Sequence, residues 1–233
     1  MTALSGLVSH RHALWIASAM TDEDVEVATE SDGPTTIELD GISYDVQLVA
    51  SNPAAYDRFY NVIANPILWF IQHYLWDLSN APDIRQAEVE AWREGYKVVN
   101  DDIADAVVRA IDGQEDPVVM LHDYHLYTCP GLIRRARPDA FLHYFVHIPW
   151  SQPDSWRILP NRWREEIYHS MLSNDIIGFH TTAYCRNFLQ CCRDLMELET
   201  DYSRMSVTYE GREIWVRAYP LSIDTQRLYR AAE

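Results

Sequence analysis

The stretch PVVMLHDYHL (residues 117–126) decides the fold prediction, because an apolar run gives way abruptly to ionisable side chains. Val118–Leu121 is predicted to be a short strand that is buried on both faces. The stretch FLHYFVHIP (141–149) repeats the pattern, with a strand that ends at His147 before a proline. In an open α/β sheet, ligands bind just beyond the carboxyl ends of parallel strands. We therefore expect Asp123 and His147 to lie side by side at the mouth of one cleft, in a site that handles hydroxyl groups.

Strands and helices alternate along most of the chain, which predicts an α/β fold with a doubly wound, mainly parallel Rossmann-like sheet. Residues 20–41 are the exception, since they are acidic and contain turn signals such as Asp32-Gly33-Pro34. The predicted strands cover 13–17, 42–48, 118–121, 141–146 and 176–179, and the predicted helices cover 52–78, 84–111, 130–137, 163–172 and 181–196. A hairpin over 207–216 that turns at Glu210-Gly211 and a helix that starts at Asp224 are expected to follow.

Composition excludes several classes of function. Lys and Arg total 19 against 35 Asp and Glu, and the formal charge of −16 argues against nucleic acid or an anionic membrane surface as a partner. No apolar run approaches the roughly 20 residues that span a bilayer, and no signal peptide is visible. The cysteines form no C-x-x-C pair, so we expect reduced, buried thiols in a soluble cytoplasmic protein. They are Cys129, Cys185, Cys191 and Cys192.

The residues at the strand ends each allow more than one interpretation. Asp123 can accept hydrogen bonds from sugar hydroxyls and orient the attacking one, or it can cap the helix that follows. His147 can bind a hydroxyl in either protonation state, whereas His143, on the same strand face, is expected to be a core histidine. These histidines and Asp123 also allow a metal cluster, but their spacing is not that of a helical H-E-x-x-H site. We therefore predict no metal.

Several motifs occur together and in order between Tyr60 and Asp224. They are YN at 60–61, Asn65, LW at 68–69, HDYHL at 122–126, HIP at 147–149, LP at 159–160, DIIGF at 175–179, YP at 219–220 and ID at 223–224. In this order and spacing the chain resembles the N-terminal half of trehalose-6-phosphate synthases and their relatives. Those relatives include glucosylglycerol-phosphate synthase and the pseudo-glycosyltransferase that makes validoxylamine.

This resemblance implies a retaining glycosyltransferase with the two-domain GT-B fold. Its reaction would move glucose from UDP-glucose or GDP-glucose to a phosphorylated acceptor, without a metal, a cofactor or a covalent side-chain nucleophile. Residues 1–233 would form the acceptor-side domain, without the family's first strand, Gly-rich loop and C-terminal nucleotide-binding domain. We therefore expect the isolated chain to be inactive. The implied partners are nucleotide-sugar and sugar-phosphate substrates, with a homo-oligomer as a further option.

The resemblance also implies roles for individual residues. Asp123 matches a residue that contacts the acceptor sugar, and His147 matches one that contacts the donor sugar. Tyr60 and Trp69 match residues that line the acceptor pocket. The weaker candidates are Arg58, Asn61, Asn65 and Tyr124.

Tyr60 and Trp69 set a geometric condition on the predicted helix over 52–78. Nine residues on a straight α-helix put two side chains about 180° apart, so both can line one pocket only if the helix breaks. Pro66 removes a helical hydrogen bond and restricts Asn65. We therefore predict two helical pieces that meet at Asn65-Pro66, with both aromatic side chains facing the same cleft as Asp123.

Two further groups of residues are less specific. Trp150 and Trp156 flank a proline-bearing loop and either cover bound sugar or pack the loop. The basic cluster of Arg134, Arg135 and Arg137 is expected to be a charged C-terminal turn of a helix, favourable with the helix dipole, in preference to a phosphate site.

The acceptor stays open at this point. The segment ALWIASAM (13–20) resembles the validoxylamine and glucosylglycerol branch more closely than the trehalose branch. Glycerol 3-phosphate or a cyclitol phosphate is therefore an alternative to glucose 6-phosphate. A non-catalytic sugar-phosphate-binding module and a metallohydrolase are hypotheses from other classes.

Overall fold

The computed structural model describes residues 13–31, 33–39, 42–77, 79–80 and 82–221. Its first part is a three-stranded sheet. Strand β1 (Leu14–Ser18) pairs in parallel with β3 (Ile42–Val49), and β3 pairs antiparallel with β2 (Thr35–Leu39). The predicted strands over 13–17 and 42–48 are confirmed, whereas the helix predicted from Asp224 lies outside the described residues.

Within the described part of residues 20–41, a helix and the strand β2 flank the predicted loop at Gly33-Pro34, so the turn-rich prediction holds there and is wrong for the rest of the segment. Helix α1 (Asp22–Glu30) follows Thr21, whose hydroxyl accepts a hydrogen bond from the Asp24 N–H at 3.1 Å. The Asp24 carboxylate accepts one from the Thr21 N–H at 3.0 Å in return. This capping box stabilises the start of the helix, and the acidic residues in the first turn interact favourably with the positive end of the helix dipole. The acidic character that suggested a loop is therefore a helix-start signal.

The helix that contains Pro66 is unbroken, so the predicted division at Asn65-Pro66 is wrong. Helix α2 has an α-helical start (Pro53–Asp57), a π-helical middle (Arg58–Trp69) and an α-helical last turn (Phe70–Gln72). The rule behind the prediction concerns the bond from residue i to residue i−4, which a proline cannot make. A π-helix uses bonds that span five residues instead, so Pro66 interrupts no α-type bond there.

The next helix confirms the prediction over 84–111 and also contains a π-helical segment. Helix α3 runs through Gln86–Ala91, the π-helical Trp92–Tyr96 and Lys97–Ala110. Gly95 in its π-helical segment lies directly against α2. A Cβ atom at Gly95 would come within 2.8 Å of the Phe59 backbone nitrogen and would also collide with the Arg58 Cβ. The close approach of the two helices therefore depends on the missing side chain.

A second sheet of six strands follows, with the order β4-β5-β6-β9-β8-β7. Four strands pair in parallel, and the last two form an antiparallel edge. The parallel strands are β4 (Val118–His122), β5 (Phe141–Val146), β6 (Ile176–Phe179) and β9 (Arg212–Ala218), and the edge strands are β7 (Thr200–Asp201) and β8 (Ser206–Tyr209). The connecting helices are α4 (Cys129–Ala136), the short α5 (Pro153–Trp156), α6 (Asn161–Met171) and α7 (Thr182–Met196). The predicted alternation and the hairpin at Glu210-Gly211 are confirmed.

The side chains on the two faces of strand β4 differ in how far they are buried. Leu121 on β4 and Tyr144 on β5 point into the core that the helices form. On the opposite face Val118 is 67% exposed and Met120 is 44% exposed, so the prediction that β4 is buried on both faces is wrong. β4 is an edge strand of the described sheet, and an apolar sequence alone does not reveal that position. Within the described ranges, no helix is long and apolar enough to cross a membrane.

Candidate active site

Asp123 is the first residue after β4, and its backbone is held in an uncommon conformation. Its φ angle is +65°, a value that non-glycine residues seldom adopt. Its N–H donates to the Phe145 carbonyl at 2.9 Å, and its own carbonyl accepts from the Tyr144 hydroxyl at 2.6 Å. The surroundings thus fix a conformation that the chain would otherwise avoid, a feature that clusters at functional sites.

The Asp123 carboxylate is directed toward the end of the neighbouring strand. Its Oδ1 accepts a hydrogen bond from the His147 N–H at 3.2 Å, so the predicted side-by-side placement of these two residues is confirmed. Burial raises the pKa of the Asp123 carboxyl, and the N–H groups of Tyr124, His147 and Ile148 oppose that rise. The alternative of a helix cap does not hold, because the side chain makes no capping bond to the 3₁₀ turn Tyr124–Leu126.

The His147 ring belongs to a group of imidazoles beyond the strand ends. Its Nε2 lies 3.2 Å from the Nδ1 of His122, and its ring centroid lies 5.8 Å from that of His180. Burial, together with the His147 and His143 imidazoles, lowers the pKa of His122 to about 4. Burial and the His180 ring lower the pKa of His147. The His122–His147 pair is therefore neutral near pH 7 and shares one N–H···N hydrogen bond.

His143 is on the same strand face as His147, four residues earlier on β5. It is half-buried, its ring lies 5.8 Å from that of Tyr219, and burial lowers its pKa. Its Nδ1 is buried and has no hydrogen-bond partner among the described residues. The prediction of a packed histidine fits its burial but not this unpaired atom. In the ranges that the structure describes, no three His, Cys, Asp or Glu side chains converge in a way that would hold a metal ion.

Tyr60 approaches Asp123 through the HDYHL segment. Its ring stacks on that of His125, with centroids 5.8 Å apart and planes at 10°. The ring of His125 in turn lies 3.9 Å from that of Tyr124, the residue next to Asp123. Tyr60 therefore borders the site although it is partly packed against the core.

Trp69 lies on the same helix as Tyr60 and contacts His73. The two rings lie 4.1 Å apart, and Trp69 is 37% exposed, so it is not sealed in the core. A charge on His73 acts on the Asp123 carboxyl in the direction that lowers its pKa. Nine residues make about two turns of a π-helix, whose bonds span five residues, so Tyr60 and Trp69 need no break in α2 to approach one region.

The weaker candidates divide between the site and the helix surface. Asn65 accepts a hydrogen bond from the Tyr124 hydroxyl at 2.7 Å and so connects α2 to the HDYHL segment. Arg58 forms an ion pair with Glu94 at 3.2 Å, and Asn61 donates to Asp57 at 2.8 Å. These two have structural partners on the helices.

Trp150, Trp156 and the basic cluster contribute to packing. The two tryptophans are fully buried and stack on each other at 4.6 Å, which supports the loop-packing interpretation. Arg134 donates to the carbonyls of Ser173, Pro138 and Ala140 and pairs with Asp175 at 2.7 Å. Arg137 donates to the Ile111 carbonyl and pairs with Asp139 at 2.6 Å. Each of these two arginines binds backbone carbonyls and a carboxylate at once, as expected for a structural cluster.

Two residues near the site were not predicted from the sequence. His73 is one helical turn beyond Trp69, and this i, i+4 spacing was the available signal. His180 follows β6, as His147 follows β5, so the rule for strand ends would have found it.

Comparison with known proteins supports the sequence resemblance. Residues 1–233 match the model of glycosyltransferase family 20. A validamine 7-phosphate valienyltransferase from Streptomyces hygroscopicus subsp. jinggangensis is 35% identical over 209 residues, which cover 89% of this chain and 42% of the relative. A trehalose-6-phosphate synthase from Mycolicibacterium gilvum is 32% identical over 236 residues, which cover 98% of this chain and 44% of the relative. The chain therefore spans less than half the length of these relatives.

Solved structures share this fold. The N-terminal domain of Candida albicans trehalose-6-phosphate phosphatase superposes with a TM-score of 0.78 at 24% identity, over 100% of this chain and 46% of that one. A structure described as trehalose-6-phosphate from E. coli bound with UDP-2-fluoro glucose gives a TM-score of 0.75 at 23% identity, over 99% of this chain and 46% of that one. At these identities the likeness confirms the fold.

Proposed function

The chain belongs to glycosyltransferase family 20, and from that membership we propose that it is the acceptor-side part of an enzyme that moves glucose from a nucleotide-glucose to a sugar phosphate. The observation that carries the proposal is the 3.2 Å contact between the Asp123 carboxylate and the His147 backbone at the carboxyl ends of two adjacent parallel strands. This is the edge at which open α/β sheets bind their ligands.

In the proposed reaction Asp123 orients the acceptor. Its carboxylate accepts a hydrogen bond from the attacking hydroxyl and holds the hydroxyl oxygen toward the anomeric carbon of the donor. The backbone bonds that fix Asp123 mean that little reorganisation is needed when the acceptor arrives, and positioning of this kind accounts for a large share of enzymatic rate enhancement.

His147 is assigned to the donor sugar. Its Nε2 is engaged with His122, so its Nδ1 is the ring nitrogen assigned to a sugar hydroxyl. The lowered pKa of His147 keeps the imidazole neutral near pH 7, and a neutral imidazole can fix a hydroxyl without adding charge.

Tyr60 and Trp69 are assigned to the acceptor sugar phosphate. A ring face covers the apolar C–H patches of a sugar, and a tyrosine hydroxyl can donate to phosphate. The exposure of Trp69 and the contacts of the two rings with His125 and His73 support this assignment.

The proposal includes a cytoplasmic location, and it includes no resident metal or cofactor. The described residues offer no converging set of three metal-binding side chains. All four cysteines are free and buried, as predicted, which suits a reducing compartment. Retention of activity after dialysis against a chelator is the expected result, and loss that is restored by a divalent cation would contradict this part.

A transfer assay tests the function and identifies the acceptor. The natural polypeptide that carries this chain is incubated with UDP-glucose or GDP-glucose and, in parallel, glucose 6-phosphate, glycerol 3-phosphate or a cyclitol phosphate. We expect a phosphorylated glucoside with one of these acceptors. Release of free glucose alone, or no use of either nucleotide-glucose, would contradict the proposal.

A second candidate is a non-catalytic sugar-phosphate-binding module. It is favoured by the match to the N-terminal domain of a protein described as a phosphatase, because a domain with this fold occurs there as well. Binding of a sugar phosphate without any transfer in the same assay would select it.

A further inference from the structure

The backbone around Asp123 is held by two fully buried tyrosine side chains, which we call the tyrosine clamp. The Tyr144 hydroxyl donates to the Asp123 carbonyl at 2.6 Å, and the Tyr96 hydroxyl donates to the Tyr124 carbonyl at 2.7 Å. Tyr96 also accepts from the Tyr127 N–H at 3.1 Å. Burial raises the pKa of both tyrosines well above its ordinary value, so both hydroxyls keep their protons and remain donors.

Strand β5 and the residue after it bind every polar group of Asp123. The Phe145 carbonyl accepts from the Asp123 N–H at 2.9 Å, and the Tyr144 hydroxyl binds its carbonyl. The His147 N–H binds its carboxylate at 3.2 Å. A non-glycine residue with a φ of +65° persists only where its surroundings hold it firmly, and these three bonds, with the bond from the Leu126 N–H to the Asp123 carbonyl at 3.2 Å, do so.

The Tyr144 bond differs from the other two because it comes from a side chain. The bond from the Asp123 N–H to the Phe145 carbonyl joins two backbones and continues the strand pairing of β4 with β5, and the His147 donor is also a backbone N–H, so neither depends on the side chain of Phe145 or His147. The Tyr144 hydroxyl is supplied by one residue type, and phenylalanine would fill the same space without it. Removing this bond leaves the Asp123 carbonyl with only the longer bond from the Leu126 N–H at 3.2 Å, so the backbone of Asp123 is less firmly held and its carboxylate can shift with it.

We propose that Tyr144, assisted by Tyr96, is a positioning residue that aims the Asp123 carboxylate at the acceptor hydroxyl. The inference rests on the proposed function, since it concerns how that reaction is oriented. Tyr144 itself is sealed in the core and touches no substrate.

The test compares Tyr144→Phe with Tyr168→Phe in the natural polypeptide that carries this chain. Tyr168 is also fully buried, but among the described residues its hydroxyl has no hydrogen-bond partner of normal geometry, so its substitution controls for loss of a buried oxygen. Misplacement of a reacting group by about 1 Å can cost about 100-fold in rate. We expect Tyr144→Phe to lower kcat/KM for the acceptor by about tenfold to 100-fold and Tyr168→Phe to change it by less than about twofold.

A double-mutant cycle separates positioning from general loosening of the fold. If Tyr144 acts through Asp123, then Tyr144→Phe has almost no further effect, less than about twofold, once Asp123→Ala has removed the carboxylate. An equal loss on both backgrounds, or equal behaviour of Tyr144→Phe and Tyr168→Phe, would overturn the proposal. Should Tyr144→Phe fail to fold, the same cycle with Tyr96→Phe decides the outcome by the same criteria. Absence of transfer in the unsubstituted polypeptide would instead count against the proposed function.

Discussion

At the scale of single residues, the site depends on carboxylate and imidazole groups whose protonation is set by burial. Asp123 combines a raised carboxyl pKa with a left-handed backbone, and His122 and His147 combine lowered pKa values with a mutual hydrogen bond. Perturbed groups that meet at strand ends are typical of functional sites. The arrangement favours function over stability at these positions.

Asp123→Asn and His147→Ala are expected to reduce transfer in the natural polypeptide by about 100-fold each, because each removes a contact made in the transition state. Initial rates against the acceptor measure this effect. A variant that keeps near-normal kcat/KM would remove the role assigned to that residue.

Asp123→Asn is also expected not to lower the melting temperature. Because the folded-state pKa of Asp123 is raised, the folded protein carries an unfavourable charge above that pKa, and protonation removes this cost as the pH falls through it. The difference in melting temperature in favour of the variant should thus be largest near pH 7 and shrink in acid.

His122 is expected to stay neutral down to about pH 4. An NMR titration of histidine-labelled protein measures the midpoint, and His122→Asn identifies the signal. Since the pKa is lowered in the folded state, the stability that His122 contributes above its unfolded value of about 6.5 is lost as the pH falls toward 4. A midpoint near 6.5 would show that the ring is solvated and not packed against His147.

At the scale of elements, the two π-helical segments are what bring α2 and α3 together beside the site. Gly95 on α3 lies against the start of the π-helical segment of α2, at Arg58 and Phe59, and the next residues on α2 include Tyr60. π-Helical segments are rare and occur frequently at functional sites. The contact therefore links helix packing to the placement of a proposed acceptor residue.

Gly95→Ala is expected to destabilise the protein by about 1–3 kcal/mol, because the added methyl group overpacks the contact with α2. This strain must exceed the gain of about 1 kcal/mol that alanine normally brings to a helix interior. Thermal unfolding measures the change, and Gly33→Ala is the control, since no atom of the described residues lies within 4 Å of a Cβ atom there. Equal melting temperatures for the two variants would show that the helices do not need this close approach.

At the scale of the whole molecule, the sequence was sufficient for the fold class and for the placement of Asp123 beside His147. The abrupt change from apolar to ionisable residues after β4 and β5 predicted that Asp123 and His147 lie side by side, because the carboxyl ends of adjacent parallel strands are neighbours. Local rules failed where a competing geometry was available. Pro66 predicts a break only in an α-helix, and the acidic residues 22–24 indicate a loop only if the cap at Thr21 is overlooked. The φ of Asp123 has no local signal, since it results from bonds to β5.

The 233-residue chain alone is expected to transfer no sugar. It spans 42% of the length of the valienyltransferase and 44% of that of the trehalose-6-phosphate synthase, so much of what those proteins contain has no counterpart in it. The transfer assay with the isolated chain measures this, and turnover of a nucleotide-glucose by the chain alone would contradict it.

The central claim is that the edge formed by Asp123, His147, Tyr60 and Trp69 binds the two sugars of a transfer reaction. A crystal structure of the natural polypeptide with UDP and the accepted sugar phosphate tests it most directly. The account predicts an acceptor hydroxyl within hydrogen-bond distance of the Asp123 carboxylate, with the rings of Tyr60 and Trp69 against the acceptor. A sugar phosphate bound elsewhere, with no ligand contact to Asp123, would contradict it.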